Sequence, residues 1–175
     1  YLAVKQYLAG RRSGTHKTLE KSELSGSTRK LHKQKGTGGS RKGSIKNPLF
    51  KGGARIFGPR PRSYDFKLNK KVKSLAKNSA LSVKAAGSSI KIVEDFSFDA
   101  PKTKEYIKFL AAFGLENKKS LLVLPELNDN VYLSSRNVQG AAIAIAENLN
   151  TYEIMNNNTI LISEKSIEAI ANSQN

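Results

Sequence analysis

From Arg11 to Arg62 the chain runs for about fifty residues without hydrophobic periodicity, and this stretch limits what the rest can fold into. It reads RRSGTHKTLEKSELSGSTRKLHKQKGTGGSRKGSIKNPLFKGGARIFGPRPR, with nine glycines (14, 26, 36, 38, 39, 43, 52, 53 and 58) and Pro48, Pro59 and Pro61. Such a segment cannot bury enough apolar surface to offset its own ordering entropy. An insertion this long without secondary structure implies a functional or disordered loop. The remaining chain must supply the core. At 175 residues and 38% hydrophobic content, there is material for one core and hardly for two.

Charge is divided as unevenly as periodicity. The formal net charge is +16, yet 23 of the 30 Lys and Arg and only three acids (Glu20, Glu23, Asp65) precede residue 92, a net of +20. The rest holds 7 bases and 11 acids, a net of −4. That split implies a polyanion-binding half and an ordinary folded half. Nucleic acid is the partner it favours. A membrane partner is not expected: no apolar run approaches the roughly 18 residues of a span, and the basic half lacks an amphipathic helix with bulky anchors. Without cysteine there is no disulfide and no Cys-based metal site, and the redox compartment stays open. Tyr1-Leu2-Ala3-Val4 opens in mid-helix, so the chain is read as lacking its true N-terminus, which leaves a targeting segment open.

The loop's chemistry suits phosphate. Gly36-Thr37-Gly38-Gly39 and Gly52-Gly53 allow close backbone approach and positive φ. Arg41, Arg55, Arg60 and Arg62 can fork onto phosphate oxygens, while Lys33, Lys35, Lys42, Lys46 and Lys51 act as point charges. Thr37, Ser40 and Ser44 can donate to phosphate or to a ribose 2′-hydroxyl. Leu49, Phe50, Ile56 and Phe57 are too few for a core; they would wedge against bases or pack the stem of the loop. A plain linker would not need those aromatics and prolines among its charges. Neither nucleotide-binding glycine pattern is met: Arg41 breaks both spacings from Gly36, and Gly43 leads to Ser44-Ile45.

After Phe66 the chain becomes periodic. Val72, Leu75, Ala76, Ser79, Ala80 and Val83 predict a helix with an apolar stripe, capped by Asn69 and ended by Gly87. Lys70, Lys73, Lys77 and Lys84 form its basic face, open to solvent or RNA. A strand at Ile90–Val93 precedes a helix that Pro101 opens and Gly114 ends, with Tyr106, Ile107, Leu110 and Ala111 inward. Leu121–Leu124 reads as a strand buried on both faces. A short helix follows Asp129-Asn130, carrying Val131, Leu133 and Val138. Strands at Ala142–Ile145 and Thr159–Ile162 come next, and Ser163 caps a last helix through Ile167 and Ile170. The expected fold is α/β: a small, predominantly parallel sheet with helices on both faces, plus a long extended basic loop inserted near the N-terminus. The domain comprises residues 1–10, where Leu2, Val4 and Leu8 lie on an opening helix, and residues 64–175; the loop spans 11–63.

No catalytic constellation emerges. His16 and His32 both sit in the loop without matched carboxylates, so they form neither a metal site nor a triad. Asp95, Asp99, Glu126 and Asp129 read as turn and capping residues. An α/β scaffold alone does not argue for a Rossmann-type enzyme. No cofactor, metal or enzymatic activity is expected.

The run His32-Lys33-Gln34-Lys35-Gly36-Thr37-Gly38, continuing through Gly43-Ser44-Ile45-Lys46-Asn47-Pro48 to Phe57-Gly58-Pro59-Arg60-Pro61-Arg62, resembles the ribosomal protein L4 (uL4) family of bacterial large subunits. So do Tyr64-Asp65-Phe66-Lys67-Leu68-Asn69-Lys70-Lys71-Val72 and Ala100-Pro101-Lys102-Thr103-Lys104, and the likeness covers essentially the whole chain. The resemblance implies a structural constituent of the large subunit in the cytoplasmic ribosome, binding ribosomal RNA early in assembly. It places the loop tip, Lys35, Gly36, Thr37, Gly38, Gly39 and Ser40, at the constriction of the nascent-peptide exit tunnel. Implied partners are large-subunit ribosomal RNA, neighbouring large-subunit proteins including the other tunnel-constriction protein, and the nascent peptide in transit, with no homo-oligomer. The RNA-binding set is Arg29, Lys30, Lys33, Lys35, Arg41, Lys42, Lys46, Lys51, Arg55, Arg60, Arg62, Lys70 and Lys71. His32 and Phe50 stand where the family favours tryptophan, and Gly39 where arginine is common. Gly140 to Asn158 match poorly, and the family's N-terminal strand is absent from these residues.

Overall fold

Four short apolar runs become the four strands of one parallel sheet. In the computed structural model, which describes residues 1–172, these are β1 (Ile90–Val93), β2 (Ser120–Leu124), β3 (Ala141–Ile145) and β4 (Thr159–Ser163), in the order β1-β4-β2-β3. The register sets Ile90 beside Ile160, Leu121 beside Ile160, and Leu122 beside both Leu161 and Ile143. Parallel neighbours need crossovers, and α3 (Thr103–Ala112), α4 (Asp129–Ser135) and α5 (Thr151–Asn156) supply them. Helices α1 (Leu2–Gly10) and α2 (Lys70–Ala86) precede β1, and α6 (Glu164–Asn172) follows β4.

Alternation along β2 and β4 splits the core into two layers. Leu121, Val123, Ile160 and Ile162 pack on one side with Ala80 of α2, Ile154 of α5 and Ile170 of α6. Leu122, Leu124 and Leu161 pack on the other with Tyr106 and Leu110 of α3 and Val131 of α4. Every residue of β2 is buried, as its unbroken apolar run implies. The α/β architecture expected from the sequence is the one observed.

By contact the chain falls into two units: Tyr1–Leu8 with the chain from Phe66 onward, and Ala9–Asp65. The first carries the sheet.

Several local expectations are corrected. Of the stripe expected on α2, Ala80 is buried, with Leu81 packed on the same core cluster, but Val72, Leu75 and Val83 are exposed. Lys84, assigned to the basic face, turns in and donates from Nζ to the Asn157 carbonyl (2.6 Å) at the end of α5. Asn69 holds the N-cap position of α2, but its side chain makes no capping hydrogen bond. The helix ends at Ala86 with Gly87 (φ −82°) as its C-cap; the left-handed residue is the next one, Ser88 (φ 49°). Ser88 and Ser89 donate to Ala85 and Lys84, the paired bonds of a Schellman motif. Gly114 does take the left-handed role after α3 (φ 67°), and Leu115 beyond it is buried with Leu110.

On α3, Ile107 is exposed while Phe109 and Phe113 pack inward beside Tyr106 and Leu110. That helix starts at Thr103, two residues past Pro101. Helix α4 starts at Asp129, capped by Asn128, and stops before Val138. Helix α5 was not expected; Asn150 caps it by accepting from the Glu153 N–H (2.8 Å). Ser163 directly precedes α6, and its hydroxyl pairs with that of Ser166 (2.6 Å).

Candidate nucleic-acid interface

The second unit holds eleven of the thirteen residues expected to bind RNA, and its shape comes from backbone bonds rather than from a core. Arg62 N–H donates to the Gly14 carbonyl, Thr18 N–H to Pro59, Arg55 N–H to Leu19 and Leu31 N–H to Gly43, each at 3.1 Å. The segments on either side of the tip therefore run antiparallel past each other without becoming strands. On the returning side, Asn47, Phe50 and Gly53 donate in turn to Ser44, Asn47 and Phe50, a chain of tight turns that buries Ser44 and Ala54.

Close passage demands glycine at two points. A side chain at Gly14 (φ 63°) would place its first carbon 2.0 Å from the Arg62 carbonyl oxygen, and at Gly58 1.9 Å from the Thr18 hydroxyl. At the tip the need is different. Gly36 and Gly38 take positive φ with open space around them, and Lys35, Thr37, Gly39 and Ser40 are all exposed. Gly53, expected to offer positive φ like its neighbour Gly52, serves instead by giving room to the Asn47 carbonyl.

The cations are set out along this framework. Arg29, Lys30, Lys33, Lys35, Arg41, Lys51, Arg55, Arg60 and Arg62 are exposed, whereas Lys42 and Lys46 are half-buried. The loop's two acids are engaged locally: Glu20 pairs with Arg60 and Glu23 with Lys17, both at 2.5 Å. The Lys17 hydrogen bond, aided by the Glu20 N–H, holds the Glu23 carboxyl below the usual range. Lys30 bonds the Gln34 side chain, and the Lys42 ammonium stands 5.9 Å from the Phe50 ring centre.

A cluster that sequence reasoning missed sits at the base. Tyr64 is stacked by Arg12 (3.8 Å) and Arg62 (4.6 Å), and its hydroxyl meets His16 Nε2 at 3.1 Å. Stacking fixes the plane of a guanidinium and leaves its N–H edge to grip a phosphate bidentately. Arg12 and His16 lie far from Tyr64 in the chain, so no linear motif announces the cluster. The apolar residues divide: Phe50 is half-buried, while Leu49, Ile56 and Phe57 are exposed, Phe57 at 98%.

Lys70 and Lys71 fall in the other unit, exposed in the first turn of α2. The structure thus groups the loop cations but gives these two a separate setting. Among the described residues no set of three His, Asp or Glu gathers where a metal could sit, and no helix is long and apolar enough to cross a membrane.

Comparison with known proteins accounts for this arrangement. The chain is 59% identical over 170 residues to the large ribosomal subunit protein uL4 of Flavobacterium johnsoniae, covering 97% of this chain and 81% of that protein. It is 58% identical over 172 residues to the protein of that name from Phocaeicola vulgatus, covering 98% and 83%. The one from Porphyromonas gingivalis is 55% identical over 170 residues. The family described as "Ribosomal protein L4/L1 family" matches residues 1–173. With a basic, glycine-shaped loop on one unit and a parallel α/β sheet in the other, the chain belongs to the ribosomal protein L4/L1 family in its bacterial uL4 form, and is a ribosomal protein rather than an enzyme.

Proposed function

We propose that this chain is a structural constituent of the large ribosomal subunit, that it binds large-subunit ribosomal RNA and aids its assembly, and that its loop tip lines the nascent-peptide exit tunnel. The observation that carries this is the loop itself: a segment rich in exposed cations, whose only two acids are already paired to neighbouring bases. Residues 11–63 form the RNA-binding loop, and residues 1–10 with 64–175 the domain that anchors it. No bond chemistry is required. Arg and Lys side chains neutralise phosphates where RNA segments converge, and released counterions supply much of the affinity.

Tip residues Lys35 to Ser40 are small or flexible and have open surroundings, as a surface facing a moving peptide requires. Besides the RNA and the nascent peptide in transit, the partners are neighbouring large-subunit proteins, including the other tunnel-constriction protein, in the cytoplasmic ribosome. The four backbone bonds that tie the two passes are sparse for so long a segment, so RNA contacts complete its ordering.

Residue-mapped crosslinking of assembled large subunits tests the reading. Crosslinks to RNA should concentrate between Arg29 and Arg62, with nascent-chain crosslinks confined to residues 35–40. Protein that washes off large subunits in high salt, or a loop without RNA crosslinks, would refute it.

A further inference from the structure

The carboxyl ends of β1, β2 and β4 open a crevice that the loop's chemistry does not explain. The chain leaves β1 and β2 for α3 and α4 on one layer of the core, and leaves β4 for α6 on the other. Where such connections part, an open parallel sheet forms a ready-made hollow. Here it measures about 530 Å³, within the roughly 300–1,000 Å³ of ligand sites. Asp95 lines it from beyond β1, Glu126 and Asp129 from beyond β2, and Lys165 from α6. Acids outnumber bases three to one here, in a chain that holds 14 acids to 30 bases. Such a place repels a polyanion, so it is no extension of the RNA-binding surface. It already holds one cation: Lys165 Nζ stands 3.3 Å from Asp95 Oδ2. Asp129 suits the first turn of α4, where a carboxylate complements the helix dipole. Glu126 has no such duty; it is exposed and meets no cation among the described residues.

Spacing decides the class of cation. Among the described residues no three carboxylates gather closely enough to hold a metal ion. Charges spread along a crevice are met instead by cations spread along a chain. The surface between them is apolar. Phe96 is half-buried against Phe98 and Phe109, with ring centres 5.4 and 4.6 Å away, and Leu127 is 55% exposed. We infer that this crevice docks an extended Lys/Arg-rich segment of a neighbouring large-subunit protein, with an apolar side chain between its cations resting on Leu127 and Phe96. The inference rests on the large-subunit reading above and gives one of its protein partners a chemistry and a site apart from the loop.

The intact chain, with carbon-13-labelled phenylalanine rings, is titrated with the peptide Lys-Leu-Lys-Arg-Leu-Lys, capped at both ends. The Phe96 resonance should shift saturably while that of Phe57 in the loop stays put. Glu126→Lys, at an exposed position, should weaken the peptide about tenfold with an unchanged melting temperature. Leu127→Ser should weaken it about fivefold. Glu116→Lys makes the same change of charge at an exposed residue outside the crevice and should leave affinity unaltered. In assembled large subunits, a photoreactive phenylalanine in place of Leu127 should crosslink to a Lys/Arg-rich protein segment and not to RNA. An unmoved Phe96, or equal weakening by Glu126→Lys and Glu116→Lys, would overturn the site. A uridylate RNA that shifts Phe96 as strongly as the peptide would give the crevice to RNA and end the proposal. So would crosslinks from position 127 to RNA, or none at all. Crosslinks from the loop to RNA in the same subunits test the large-subunit reading separately, so the two failures are distinguishable.

Discussion

Tyr106 is wholly buried on the inner face of α3, and its hydroxyl has no protein hydrogen-bond partner. Burial pushes the phenol from 10 up to about 12. Above pH 10 the unfolded chain would lose this proton while the folded chain keeps it until about 12. The unfolded state then binds fewer protons, so this residue's contribution to stability is complete below pH 10 and is lost as pH rises toward 12. Tyr106→Phe removes an unsatisfied polar atom while keeping the ring that packs against Phe109 at 5.9 Å. It should raise stability by about 1 kcal/mol at neutral pH, read by urea denaturation. The gain over wild type should widen between pH 10 and 12, and an equal gain at both pH values would contradict the ionisation argument.

At the scale of elements, two substitutions separate helix ends from the loop. Ser88 bears the left-handed conformation that closes α2 (φ 49°), so Ser88→Gly should stabilise the chain by about 1 kcal/mol, seen as a raised melting temperature. Gly58→Val should act otherwise. Its side chain would enter the space of the Thr18 hydroxyl, forcing the two passes of the loop apart. RNA affinity should fall about tenfold while the melting of the α/β unit stays unchanged, since that unit owes its core to other residues.

The strands were legible because each is a short run rich in apolar residues, interrupted only by Lys91 in β1. The span of helix α2 was legible as well, but not which part of its stripe is buried: of the expected residues Ala80 is buried, whereas Leu75 is 69% exposed. Helix α5 escaped notice through its length of six residues, although Asn150 and Glu153 stand at the spacing of a capping box. In the loop the cations could be read from composition alone. The Arg12–Tyr64–Arg62 stack could not, because it exists only when the two ends of the segment meet.

For the molecule as a whole, the charge division sets how binding responds to ionic strength. Each cation that meets a phosphate adds about 0.7 to 0.9 to the steepness of log affinity against log salt. Arg41→Ala should therefore lower that steepness by about one or less and weaken binding modestly, because affinity is spread over many contacts. A titration with unchanged steepness would remove Arg41 from the phosphate-contacting set. The strand order has a further consequence, one of timing. Among the described residues β4 is the last strand, yet it lies between β1 and β2 and is the strand that pairs with β1. During synthesis that pairing waits until residues 159–163 emerge, whereas the cationic loop leaves the translating ribosome long before. A nascent chain of this kind is a sticky polycation before it is a folded domain, open to premature capture by any RNA or chaperone nearby.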